Sequence, residues 1–156
     1  MKETYQLDAV DRRILAALQE DASISHAALA ERVGASTASC WRRIKALETA
    51  GVLTRTVRLV DAGKVGRGVN VLCHIRMRSH TAEGVEAFES FVRSRPEILE
   101  CYSMSGDWDY LLHIVAQDVA DYERVLMHGI LDHEAIASSS SIFVLRRVKH
   151  TTAIPV

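Results

Sequence analysis

The sequence predicts an α+β chain of two modules: a winged helix-turn-helix over residues 1–60 and a ferredoxin-like β-α-β-β-α-β domain over residues 69–156. Three observations predict it. Apolar residues recur at helical spacing up to Gly51, then alternate as strands do between two further helical stretches. Between the modules VDAGKVGRG places three glycines in nine residues, which marks residues 61–68 as a linker. The halves also differ in sign, with nine Lys/Arg against seven Asp/Glu in residues 1–60 and ten against thirteen afterwards.

In the first module Asp8 suits a helix N-cap, Val10, Ile14, Leu15 and Leu18 share one face, and Asp11 sits in the first turn, where the helix dipole favours a carboxylate. DASIS breaks that helix. Ser25 caps a short second one striped by Leu29, Ala30 and Val33, and Gly34 suits its left-handed exit. Ser36 starts a third helix almost at once. Two short helices across a Gly-containing turn, with small Ala30 where they approach, form the helix-turn-helix pattern. Beyond Gly51, LTRTVRLV alternates Leu53, Val57 and Leu59 with polar residues and predicts a short strand pair, the wing.

On the third helix Cys40, Ile44 and Leu47 recur at i, i+4, i+7 and must face the core. Ala38, Trp41, Arg42 and Lys45 follow the same spacing on another face, with Thr37 at its N-terminal end beside Ser36 and Ser39. Short side chains let a backbone approach a major groove while the cations read guanine edges or hold phosphate. Arg43, between the two faces, and Arg55 and Arg58 on the wing are expected to grip phosphates. From residue 36 to 58 only Glu48 opposes these five cations. The geometry therefore predicts an interface with double-stranded DNA, weighed against a merely solvated basic face.

In the second module residues 69–78 alternate as a strand, and residues 81–95 carry Val85, Phe88 and Val92 on one helical face before Pro96. ILECYSMS and YLLHIVA flank the tight GDWD connection as a hairpin. Asp118 caps a helix bearing Val119, Tyr122, Leu126 and Ile130, and SSIFVLRRVKH predicts the last strand. This order names a fold and no function.

Other residues exclude classes of chemistry. Cys40, Cys73 and Cys101 have no CxxC spacing and sit among apolar neighbours, which predicts free thiols rather than disulfides or zinc. His128 and His133 lack HExxH geometry, and Cys73 and His74 point to opposite faces of a strand, so no metal site and no catalytic residue are expected. Nor is a nucleotide-binding glycine loop present. Without a run of about 18 apolar residues or a signal-peptide core, no membrane partner and a cytoplasmic location are expected.

LDAVDRRILAALQEDASIS, LAERVGAS, CWRRIKALETAGVL, GDWDYLLHIV and LRRVKHTTAIP, in that order, make the chain resemble the leucine-responsive regulator/AsnC (Lrp/AsnC) family of transcription factors over essentially its full length. The resemblance implies sequence-specific binding to palindromic promoter sites and a RAM-type C-terminal domain that binds an amino acid or related small molecule. It also implies dimers assembling into octamers of four dimers, no other cofactor, and control of amino-acid metabolism or transport genes and of the protein's own promoter. It places the effector at the GDWDY loop, with Tyr102, Met104, Gly106, Asp107, Trp108 and Asp109 as candidates. There Gly106 permits a turn, the two aspartates offer carboxylates to an ammonium group, and Trp108 departs from the smaller or tyrosyl residues common at that position. Ser138, Ser139 and Ser140 are further candidates, as hydroxyls for an effector carboxylate from a neighbouring subunit. Two alternatives stay open: an architectural DNA-binding protein without an effector, and a tetrapyrrole decarboxylase of similar two-domain layout.

Overall fold

The computed structural model describes residues 5–156. The chain divides into two compact units: the first runs to Arg58 and takes in Lys149–Val156, and the second is Leu59–Val148.

The first unit contains α1 (Ala9–Glu20), α2 (His26–Val33) and α3 (Thr37–Thr49). Each helix begins at a side chain that satisfies otherwise orphaned N–H groups. Asp8 accepts from Val10 and Asp11, Ser25 from Ala28, and Ser36 from Ser39. Asp11 does more than complement the dipole: its carboxylate accepts the Asp8 N–H, closing a capping box. Gly34 ends α2 at φ 69°, a conformation that opens the short turn into α3. Ile14, Leu15, Leu29, Val33, Cys40 and Leu47 form the core.

Two features of this unit go beyond the sequence pattern. Among the described residues, 54–60 pair with no strand, and Val57, Leu59 and Val60 are exposed. Alternating apolar residues make a strand only where a partner strand and a buried face exist. Lys149–Val156 groups with the first unit. The Gln19 amide exchanges two hydrogen bonds with Ile154, its Nε2 donating to the carbonyl (3.0 Å) and its Oε1 accepting the N–H (2.7 Å). A side-chain amide thereby supplies both partners that an extended backbone lacks.

The second unit contains β1 (Val69–Met77), α4 (Ala82–Ser94), β2 (Ile98–Ser103), β3 (Tyr110–Ala116), α5 (Val119–Val125) with a π turn at Leu126–Ile130, and β4 (Ile136–Phe143). The strands form one antiparallel sheet ordered β2-β3-β1-β4. Val71, Cys73, Ile75 and Met77 of β1 and Leu112 and Ile114 of β3 meet Phe88, Val92, Tyr122 and Ile130 in the core. Both helices therefore cover one face, and the other face is open. Before β1, Arg67 pairs with the buried Asp121 (3.0 Å), which also accepts from the Gln117 N–H (2.9 Å) and Arg124 (2.7 Å).

The last strand lies earlier than SSIFVLRRVKH predicts, because the polar run Ser138–Ser141 is itself strand. An edge strand beside an open face accepts serine on either side, and β1 supplies the ladder. At Arg76/Met77 the β1–β4 register shifts, a bulge that falls beside the GDWD turn.

Candidate functional site

On α3 the predicted stripe is displayed to solvent. Thr37, Ala38, Arg42 and Lys45 are exposed, and Trp41 retains 54% of its surface. A large indole so exposed, on a helix whose opposite side packs Cys40 and Leu47, is available for contact. Lys45 holds only an exposed i, i+3 pair with Glu48 at 2.7 Å, which surface screening makes weak. Ser36 accepts the Ser39 N–H, so its side chain begins the helix that presents the stripe.

Arg43 differs from its neighbour. Its Nη1 meets Asp8 (2.6 Å) and Asp11 (2.7 Å), and those two hydrogen bonds, the Asp11 one foremost, hold its pKa above the ordinary arginine value. The guanidinium thereby ties α3 to the start of α1. Arg55 and Arg58 are exposed in the unpaired segment 54–60.

In the second unit the GDWD turn closes over the end of the sheet. Gly106 adopts φ 129°, where an L side chain is strained. Asp109 donates its N–H to Ile75 (2.9 Å) and accepts from Met104 (2.8 Å), fixing the turn. Its carboxylate accepts the Met77 N–H (2.6 Å) and meets His80 Nε2 (2.8 Å). The Met77 bond first, then the His80 bond, lowers the Asp109 pKa below the usual carboxylate value. Asp109 is thus a brace of the turn, whereas Asp107 is exposed and its main-chain carbonyl accepts from Arg76 Nη2 at 2.6 Å.

Trp108 turns onto the open face, 5.6 Å from the His74 ring and beneath the Arg76 guanidinium at 5.0 Å. Tyr102 stands on the same face, half exposed, with the Glu100 charge beside it raising its pKa. Met104 is half-buried behind the turn. β4 separates the serines by parity: Ser138 and Ser140 pair with Arg76 and His74 on the open side, while Ser139 alternates toward the helices with Ser141. Ser141 binds the Tyr122 hydroxyl at 2.5 Å, beside Cys73. Ser138 and Ser140 therefore join the open-face group, and Ser139 does not. Arg76 and His74 were missed in the sequence; their alternation along β1 with Cys73 and Ile75 was the signal that could have found them.

The cysteines are free, with Cys40 and Cys73 buried and Cys101 half-buried. Burial raises the Cys73 thiol and pushes Cys101 to about 11, which leaves both protonated and unreactive at neutral pH. Among the described residues no helix is long and apolar enough to cross a membrane.

A family model of the AsnC-type helix-turn-helix domain matches residues 7–48, and one of the Lrp/AsnC ligand binding domain matches residues 70–154. Together with the displayed α3 stripe and the open-face turn, these matches define a two-domain transcriptional regulator, one module built for DNA and the other for a small molecule. The glutamate uptake regulatory protein of Zymomonas mobilis is 37% identical over 96% of this chain and 91% of its own length. The DNA-binding transcriptional activator DecR of Escherichia coli is 34% identical over 96% and 99%. A transcriptional regulator of Neisseria meningitidis solved in complex with L-Met superposes with a TM-score of 0.93 at 33% identity, covering 96% of this chain and 97% of that one. An AsnC family regulator from Agrobacterium tumefaciens gives 0.91 at 44% identity over the same shares. The chain belongs to the Lrp/AsnC family of transcriptional regulators.

Proposed function

We propose that the protein is an amino-acid-responsive regulator that reads palindromic promoter DNA with α3, and that it is not an enzyme. The observation that carries the DNA reading is the displayed stripe Thr37, Ala38, Trp41, Arg42 and Lys45 on the second helix of a helix-turn-helix whose other face is core. Arg55 and Arg58 add phosphate contacts, and Ser36 and Ser39 position the helix N-terminus near the backbone. The effector reading is supported by the open-face group at the GDWDY turn and by the relatives: one is named for glutamate uptake and a structural neighbour holds L-Met. Tyr102, Met104, Gly106, Asp107, Trp108, Ser138 and Ser140 form the effector site, with Asp109 as its brace.

A two-fold-related pair of heads is needed to match a palindrome, so the working form is a dimer, assembling into octamers. Support comes from the uncovered sheet face, where Tyr102 and Ile142 each leave about half of their surface exposed. Its place is the cytoplasm, and its targets are amino-acid metabolism or transport genes together with its own promoter.

The test is fluorescence anisotropy on a fragment of the protein's own promoter region, with each of the twenty amino acids added in turn. Salt-sensitive, sequence-selective binding that one amino acid modulates is expected. Binding unchanged between low and physiological salt would overturn the DNA reading, and indifference to every amino acid would overturn the effector reading.

A further inference from the structure

Among the described residues, Arg76 is a charge on the open sheet face that is oriented without a direct carboxylate partner. Its guanidinium lies over the Trp108 ring at 5.0 Å and donates to the main-chain carbonyl of Asp107 at 2.6 Å. An aromatic face and a neutral carbonyl fix the direction of the fork, yet neither cancels its charge. The contrast with Arg43, Arg67, Arg93 and Arg124 is direct, since each of those meets an Asp or Glu carboxylate. Across the ladder β4 sets the exposed Ser138 opposite Arg76, and on the other flank the exposed carboxylate belongs to Asp107, the residue whose carbonyl Arg76 holds. A cation with a hydroxyl beside it, one residue from a carboxylate, is complementary to a zwitterion whose carboxylate and ammonium are separated by a single carbon.

We infer that Arg76 receives the α-carboxylate of the amino-acid effector, assisted by Ser138, while Asp107 takes the ammonium and Trp108 forms the wall behind both. This rests on the proposed effector role of the GDWDY turn and names the group that selects a free amino acid over its neutral derivatives. A guanidinium offers a carboxylate two parallel N–H donors, and one already held by stacking loses little rotamer freedom on binding. Five donors leave room for the effector without releasing the Asp107 carbonyl. Arg76, Ser138, Asp107 and Trp108 lie close together on one chain, so in this arrangement the Ser138 hydroxyl acts in cis.

Arg76 could instead serve only as a strut for the turn, and a ligand-modification cycle separates the two roles. Isothermal titration of the full-length protein first identifies a binder among the twenty L-amino acids at concentrations up to about 10 mM. That amino acid and its α-carboxamide, which keeps the ammonium and loses the carboxylate charge, are then compared on wild type, Arg76→Gln and Arg76→Lys. Wild type is expected to prefer the acid by roughly tenfold or more, and Arg76→Gln to bring that preference to within about threefold of unity, the size of one lost charge-assisted pair. Arg76→Lys should keep part of the preference, because it keeps the charge without the fork. Equal weakening of acid and amide in Arg76→Gln, or no preference in wild type, would overturn the inference and leave Arg76 a strut. Absence of any amino-acid binder to wild type would overturn the effector reading itself, and it would show before any variant is made. Unchanged melting of ligand-free Arg76→Gln establishes that the fold is intact.

Discussion

Arg42 and Arg43 on α3, and Asp107 and Asp109 in the turn before β3, are two pairs of like charges in different units, and both divide the same way. One member is committed inside the protein: Arg43 to Asp8 and Asp11, Asp109 to the Met77 N–H and His80. The other, Arg42 or Asp107, keeps its charged group exposed to solvent. Motif membership therefore does not assign a role. The committed member sets the position of the element, and the free one is available to a ligand.

The largest separation is expected at α3. Arg42→Ala should weaken promoter binding by roughly tenfold to a hundredfold without moving the melting temperature, as loss of a base or phosphate contact does. Arg43→Ala should act in reverse: it leaves the buried Asp11 carboxylate without its cation, so the melting temperature falls and DNA binding weakens only as the head loosens. Parallel anisotropy and thermal unfolding check both, and a normal melting curve for Arg43→Ala with lost DNA affinity would erase the distinction.

A comparable split is expected in the turn. Asp107→Asn should abolish most of the effector-induced rise in melting temperature and leave the ligand-free value in place, whereas Asp109→Asn should lower the ligand-free value. Next in size, Arg55→Ala and Arg58→Ala should each flatten the plot of log affinity against log salt by about 0.9 if each side chain neutralises one phosphate. An unchanged slope would show that the unpaired segment 54–60 lies clear of DNA.

The smallest effect concerns acid. Because the folded pKa of Asp109 lies below its ordinary value near 3.8, its contacts stabilise the fold above that value and are lost as pH falls through the folded one. Wild type should therefore lose more stability than Asp109→Asn between about pH 5 and pH 3. Urea midpoints across that range would reveal it.

What the sequence made legible was whatever depended on near neighbours. The caps Asp8, Ser25 and Ser36, the exit at Gly34, the α3 stripe and the strand at Tyr110–Ala116 all follow from residues within a few positions of one another. The failures came from distance. Arg43 finds its carboxylates 32 and 35 positions earlier, and Gln19 finds Ile154 135 positions later. The segment after Gly51 meets no partner strand among the described residues, and the serine run of β4 became strand only because β1 lies beside it. Among the effector candidates, strand parity separated Ser138 and Ser140 from Ser139, and it brought in Arg76 and His74, which no local motif marks.

The return of Lys149–Val156 to the first unit bears on how such regulators could be recombined. A head joined to a foreign sensor by a single crossover after Arg58 would lose the peptide that Gln19 holds, exposing the side of α1 and α2 near Ala16, Glu20 and Arg32. A working chimera needs two junctions, with the last eight residues following the head from which they came. The compact unit around the helix-turn-helix is therefore discontinuous along the chain, even though its helix-turn-helix is not.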